Sequence, residues 1–243
     1  RDVAPSRGLG DVYKRQSLPD THKQILTTQY RMIENIGNLI SKVFYRGIID
    51  TGCNDDEKRH GLSRYVGKSI VWFDTSANKK KSQKRTKGGS YINEEEKRII
   101  LEILDDLKST GELKGLDIGI ITGYSGQKEL LRKSIKATGL DKIASKIDIN
   151  TLDAFQGREN DIIIYSTVRT RDSIGFQKEK ERVNVAFSRA KKLLIVCGDK
   201  NFFYNFDDQD NKFVEIIDYI SEEEECEIIQ CDGGKLFERE SNS

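Results

Sequence analysis

Residues 151–161 read TLDAFQGREND, the run IIIYSTV fills 162–168, and ERVNVAFSRAK at 181–191 leads into a second apolar run ending at Cys197. A near-continuous apolar run marks a strand covered on both faces, as in parallel sheets, and both runs have that form. A polar turn, Gln156 to Glu159, precedes the first run, and two arginines, Arg182 and Arg189, lie on the amphipathic segment before the second. Loops flanking parallel strands are where α/β folds carry their chemistry.

Outward from this block the periodicity alternates. Ile36, Leu39, Ile40, Val43 and Phe44 form the stripe of an amphipathic helix that ends near Gly47. SIVWFD at 69–74 reads as a strand. Asn93 with Glu96 three residues on is a helix-start signature, and Ile99, Ile100, Ile103, Leu104 and Leu107 supply the buried face. DIGIIT at 117–122 predicts a strand, 126–137 a helix, and 146–150 a strand entering the opening block. Phe213, Ile216, Ile217 and Ile220 predict a last helix. Strands alternating with helices imply an α/β fold, a mostly parallel sheet with helices on both faces.

Two segments stand outside that pattern. KKKSQKRTKGGS at 79–90 carries six basic side chains between Lys79 and Lys87, a composition that predicts a mobile loop. From residue 222 to 243 the chain is an acidic tail, expected to be a poorly ordered end. Residues 1–16, RDVAPSRGLGDVYKRQ, differ in composition from the Lys-, Ile- and Asn-rich remainder, and the only methionine is Met32. They are read as a non-native scar on a fragment whose single domain runs from 17 to 221.

With 243 residues the chain can bury one full core. Basic and acidic residues nearly cancel, 41 against 40, so contact with nucleic acid must come from local groups rather than a global field. The four cysteines include no CxxC pair and only His22 and His60 accompany them, so no metal site is expected and reduced thiols of a cytoplasmic protein are the simpler reading. No apolar stretch reaches the length of a membrane helix, and no membrane partner is expected.

QYRM at 29–32, SYIN at 90–93, TGYSGQ at 122–127, TLDAFQGREND and RVNVAFSRAKK at 182–192 together resemble the second, C-terminal RecA-like domain of superfamily 1 helicases. The resemblance is to the AAA_12-type branch that holds the nonsense-decay RNA helicase, the Okazaki-fragment nuclease-helicase and the senataxin-like proteins. It implies a RecA-like fold of the P-loop NTPases, in which ATP with Mg2+ binds between two such domains and hydrolysis drives 5′-to-3′ movement along single-stranded DNA or RNA. It further implies that Arg31 and Arg189 reach the γ-phosphate, a task suited to a permanent charge on a planar fork. Gln29, Tyr30, Gln156, Gly157, Glu159 and Arg182 are then the nucleotide-side candidates, with Tyr30 near the adenine. Thr122, Tyr124, Gln127, Thr151 and Asn184 are the strand-side candidates, since hydroxyls and amides grip a backbone without reading sequence. Asn184 and Arg182 would also support the arginine finger.

Gly123 departs from the proline common in the family's TPY block, which loosens that loop. No GxxxxGK[ST] motif occurs in the chain. The resemblance assigns that phosphate loop, and the metal ligands with it, to a first RecA-like domain as the obligatory partner, so the fragment alone should be inactive. Two rivals remain: a non-catalytic nucleic-acid-binding or regulatory module that keeps the fold, and the helicase part of a nuclease-helicase fusion.

Overall fold

A run such as Ile162, Ile163, Ile164, Tyr165 stays buried throughout only if apolar layers cover both sides of the strand, and the computed structural model supplies both. It describes residues 27–112, 115–140, 147–155 and 158–237; the segment 1–16 read as a scar lies outside them. In chain order the first half comprises β1 (Thr28–Gln29), α1 (Glu34–Tyr45), β2 (Asp50–Thr51), α2 (Asp55–Lys58), β3 (Ile70–Asp74), β4 (Lys84–Arg85), β5 (Tyr91–Ile92) and α3 (Glu94–Ser109). Then follow β6 (Ile118–Thr122), α4 (Ser125–Thr138), β7 (Ile147–Thr151), β8 (Asn160–Ser166), α5 (Lys180–Phe187), β9 (Ala190–Gly198), α6 (Lys200–Tyr204), α7 (Phe213–Glu222) and β10 (Cys226–Gln230).

Six of these strands form one sheet in the order β10-β3-β9-β8-β6-β7, with every pairing parallel. This is the α/β, RecA-like arrangement expected from the sequence. Successive residues of a strand point to opposite faces, and the two cores follow that rule. Trp72, Ile163, Tyr165, Leu194 and Val196 join the layer of α1, α5 and α7, while Val71, Phe73, Ile162, Ile164, Leu193 and Ile195 join that of α3 and α4.

The α3 start behaves as its sequence predicts in part. The Asn93 side chain accepts from the backbone N–H groups of Glu95 and Glu96, a cap worth about 1 kcal/mol. Glu96, however, does not return to the Asn93 backbone N–H, which donates to Gln127 Oε1 instead at 2.8 Å.

From β7 at the sheet edge the chain must pass β6 to reach β8, and residues 152–155 lie against that face. Phe155 is fully buried there, and a Cβ on Gly119 of β6 would lie 2.6 Å from its ring. Glycine at 119 is what lets the crossing lie flat on the sheet.

Two expectations are corrected. Residues 84–92 form an antiparallel hairpin, Lys84 opposite Ile92 and Arg85 opposite Tyr91, rather than a mobile loop. Past Glu222, Cys226–Gln230 pair along the whole of β3 as the sixth strand of the sheet rather than forming a loose end. Both errors have one cause: charged composition argues against independent folding, but an edge strand or short hairpin needs only a partner to hydrogen-bond with and a little buried surface.

Candidate nucleotide-facing and strand-facing sites

Because the six strands are parallel, their N-terminal ends share one edge of the sheet and their C-terminal ends the other. The two groups of candidate residues divide largely along that line.

At the N-terminal edge, Glu159 precedes β8 and Arg189 precedes β9. The Arg31 Nε donates to Glu159 Oε2 at 2.7 Å and its Nη1 to the Ser188 carbonyl at 3.3 Å. Gln29 shapes the turn that delivers Arg31: its Oε1 accepts from the backbone N–H groups of Arg31 and Met32, and its Nε2 donates to the Met32 carbonyl and Thr51 Oγ1. Lys58 ties the same turn from α2 by donating to the carbonyls of Tyr30 and Arg31. Arg189 donates from Nε to the Val185 carbonyl at 3.1 Å and from Nη1 to the Arg158 carbonyl at 3.4 Å.

Burial holds the Arg189 guanidinium below its ordinary pKa, and the nearby charge of Arg31 adds to that effect while Glu159 opposes it. Two arginines near a single carboxylate, only Arg31 of them paired with it, make a site with spare positive potential. The Tyr30 ring, 68% exposed, lies against Gly52 and is otherwise largely open to solvent. A donor set of two permanent forks and an open aromatic ring fits a nucleotide's phosphates and base. Among the described residues no group of three or more His, Cys, Asp or Glu side chains is placed to hold a metal ion, and Arg31 already holds Glu159.

Gln156 and Gly157 lie outside the described residues. Arg182 stands apart from the arginine pair, in the first turn of α5. It donates to Glu179 Oε2 at 2.7 Å, lies 3.8 Å from Asp153 and stacks over Phe176 at 5.1 Å. Asn184 donates to the Tyr45 hydroxyl at 2.9 Å, which anchors α5 to the end of α1 and leaves it with neither group.

At the C-terminal edge, Thr122 and Thr151 close β6 and β7 directly opposite one another. Thr122 is fully buried and Thr151 partly exposed. Tyr124 follows, 5% exposed, edge-on to Tyr91 and tilted against Phe176; burial raises its hydroxyl to about 12. Phe176, 46% exposed, carries this aromatic cluster to the surface. Gln127 departs from its expected place on the strand surface. It is fully buried, its Oε1 accepting from Asn93 N and its Nε2 donating to the Asn93 carbonyl and Ser166 Oγ. With every polar atom engaged, its role is to brace the edge from below.

Sequence reasoning missed the group that completes this brace. Glu96, fully buried, accepts from Ser166 Oγ at 2.6 Å, Thr167 Oγ1 at 3.1 Å and the Val168 backbone N–H at 2.9 Å. Val168, β-branched, has φ 68°, a left-handed conformation costly for such a residue. Burial raises the Glu96 carboxyl to about 8, against the downward pull of those hydrogen bonds. The one sequence signal was Glu96 three residues after Asn93, and it was read only as a helix start.

Residues 10–201 match the AAA domain family AAA_12. Helicase SEN1 of Saccharomyces cerevisiae is 36% identical over 185 residues, 72% of this chain and 8% of the relative. The regulator of nonsense transcripts 1 homolog of Neurospora crassa is 32% identical over 181 residues, 72% and 16% respectively. The uncharacterized ATP-dependent helicase MJ0104 of Methanocaldococcus jannaschii is 33% identical over 220 residues, 85% and 31%. The chain thus spans less than a third of each of these relatives. Its fold, its strand-flanking blocks and these matches agree: the chain belongs to the AAA domain family AAA_12, as a C-terminal RecA-like domain of the superfamily 1 helicase branch that holds SEN1 and the regulators of nonsense transcripts.

Proposed function

We propose that this domain is the C-terminal half of an ATP-dependent helicase or translocase motor that moves 5′-to-3′ along single-stranded DNA or RNA. The observation that carries the reading is that Arg31, paired with Glu159, and Arg189, held by backbone carbonyls, lie close enough at the N-terminal edge of β8 and β9 for each charge to act on the other. The nucleotide, ATP with Mg2+, supplies the transferable phosphoryl group. Its phosphate loop and metal ligands would come from a second RecA-like domain facing this edge.

Phosphoryl transfer depends mainly on positioning and on cancelling charge that develops on the γ-phosphate oxygens. In this reading Glu159 keeps the Arg31 fork extended until phosphate oxygens replace it, and the backbone carbonyls of Val185 and Arg158 hold Arg189 in place. Because neither contact satisfies a whole guanidinium fork, both arginines keep donors for an anion. Loss of the γ-phosphate returns Arg31 to Glu159 and loosens the cleft, the kind of bistable closure that alternates grip on a strand. The strand would lie along the other edge, over Thr151 and the aromatic cluster at Phe176.

The test joins the chain to a RecA-like domain bearing a phosphate loop and measures strand-stimulated ATP turnover. Arg189→Ala and Arg31→Ala should each lower it on the order of a thousandfold, the usual effect of removing such an arginine. Turnover within about threefold of the parent for both variants would refute the assignment.

A further inference from the structure

The basic segment 79–90 is a cationic feature that the motor reading leaves unused, and it is fixed in space. Beyond the strand pairing, the hairpin turn is closed by Thr86 N–H to the Ser90 carbonyl at 2.8 Å and by Ser90 N–H to Thr86 Oγ1 at 3.1 Å. Gln83, buried, exchanges two hydrogen bonds with Thr170, at 2.9 and 3.1 Å. Ser90 Oγ accepts from the Gly126 backbone N–H at 3.0 Å. Lys81 is tied to Asp199 at 2.8 Å, and its carbonyl accepts from Asn93 Nδ2.

These ties fasten the hairpin to the first turn of α4 and to the chain that follows β8 and β9, at the C-terminal edge where Thr122 and Thr151 end their strands. Tyr91 of β5 joins the same surface, edge-on to Tyr124 at 5.6 Å and under the Arg169 guanidinium at 4.1 Å.

The charge on this element faces outward. Lys79, Lys80, Lys84, Arg85 and Lys87 are exposed, and among the described residues none of the five lies in an ion pair. By contrast, three carboxylates of the neighbouring α3 are engaged with cations of that helix: Glu94 with Lys97, and Glu95 and Glu102 with Arg98. A chain with nearly balanced total charge therefore concentrates unneutralised cations on one rigid prong, beside hydroxyls and aromatic rings. That combination suits a polyanion with stackable bases better than an acidic peptide.

We propose that the hairpin 84–92, with Lys84, Arg85 and Lys87 as its phosphate-binding side chains, is a sequence-independent grip on single-stranded nucleic acid. It extends the contact surface begun at Thr151 and Phe176. This rests on the strand-binding reading above and adds to it an element that those residues do not include. Because Gln83, Lys81 and Ser90 hold the prong in place, little ordering accompanies binding, and the lysines and arginine act as preformed point charges.

The probe is a 5′-fluorescein oligo-dT or oligo-U of roughly 20 nucleotides, longer than one domain's footprint. Its anisotropy is followed with the 243-residue chain. For the variant Lys84→Ala, Arg85→Ala, Lys87→Ala, Kd should rise at least about tenfold near 50 mM salt. The slope of log K against log salt should fall by about 2, from three lost phosphate contacts. Thermal unfolding should match the parent, since all three side chains are exposed. A parent that binds both probes and a variant with the same Kd and slope overturns the hairpin alone; a parent that binds neither probe overturns the strand-binding reading with it. Retained oligonucleotide binding with lost binding to poly-glutamate overturns the proposal in favour of an acidic protein partner.

Discussion

The two edges of the sheet solve opposite problems. At the N-terminal edge, Arg31 and Glu159 pair with side chains 41% and 46% exposed, in water that screens them and lets them part. At the C-terminal edge, Glu96, Asn93 and Gln127 are each fully buried and hold the ends of β8 and the start of α3 with hydrogen bonds that have no competitor from solvent. An exchangeable contact suits a group that must let go of one anion and take another. A buried network suits a surface whose shape must not change while something slides over it.

The contrast can be broken most severely at the exchangeable edge. The thousandfold losses expected for Arg189→Ala and Arg31→Ala in the joined motor correspond to about 4 kcal/mol of transition-state stabilisation. Arg31→Ala should leave folding stability nearly unchanged, because its pair with Glu159 is exposed.

The buried edge should behave in the reverse manner. Glu96→Ala leaves Ser166, Thr167 and the Val168 N–H without their acceptor, and should destabilise the fold by about 3–5 kcal/mol in urea unfolding. Gly119→Ala drives a methyl against Phe155 and Ile163, and about 1–3 kcal/mol of destabilisation is expected by the same measurement.

A gentler change sharpens the comparison through pH. The Glu96 carboxyl is raised from its ordinary 4.5 to about 8 in the fold, so between those values the folded chain retains a proton that the unfolded chain has lost. Its contribution to stability is complete below about pH 4.5 and disappears as pH rises through about 8. The thermal midpoint of the parent should fall across that window, and Glu96→Gln, a neutral isostere, should flatten the fall; an unchanged slope would show that Glu96 is already ionised at neutral pH. The smallest effect is expected at Glu159→Gln, within about 1 kcal/mol of the parent in unfolding.

Legibility in the sequence followed the same division. Gln29, Tyr30, Arg31, Glu159, Arg189, Thr122 and Thr151 are candidates because their blocks resemble those of superfamily 1 helicases, and the fold brings Arg31, Glu159 and Arg189 to one edge and Thr122 and Thr151 to the other. Gln127 and Arg182 sat in equally suggestive blocks, yet the first turned inward and the second took Glu179 and Phe176 as partners. Side-chain direction depends on which neighbours the fold delivers, and block spacing carries no information about that. Lys58 had no signal at all, because its partners are backbone carbonyls of a turn far away in sequence.

The sequence by itself determined the fold class and most of the elements, because apolar periodicity records which faces are buried regardless of what buries them. It also determined the chemistry available at the ends of β8 and β9. Only the tertiary structure decided that Glu96 bears on Val168, that Phe155 crosses β6 at Gly119, that Cys226–Gln230 complete the sheet and that the basic segment stands as a prong beside Tyr124. Each of these rests on contacts between residues distant in the chain, where burial, close approach and partner geometry override local composition.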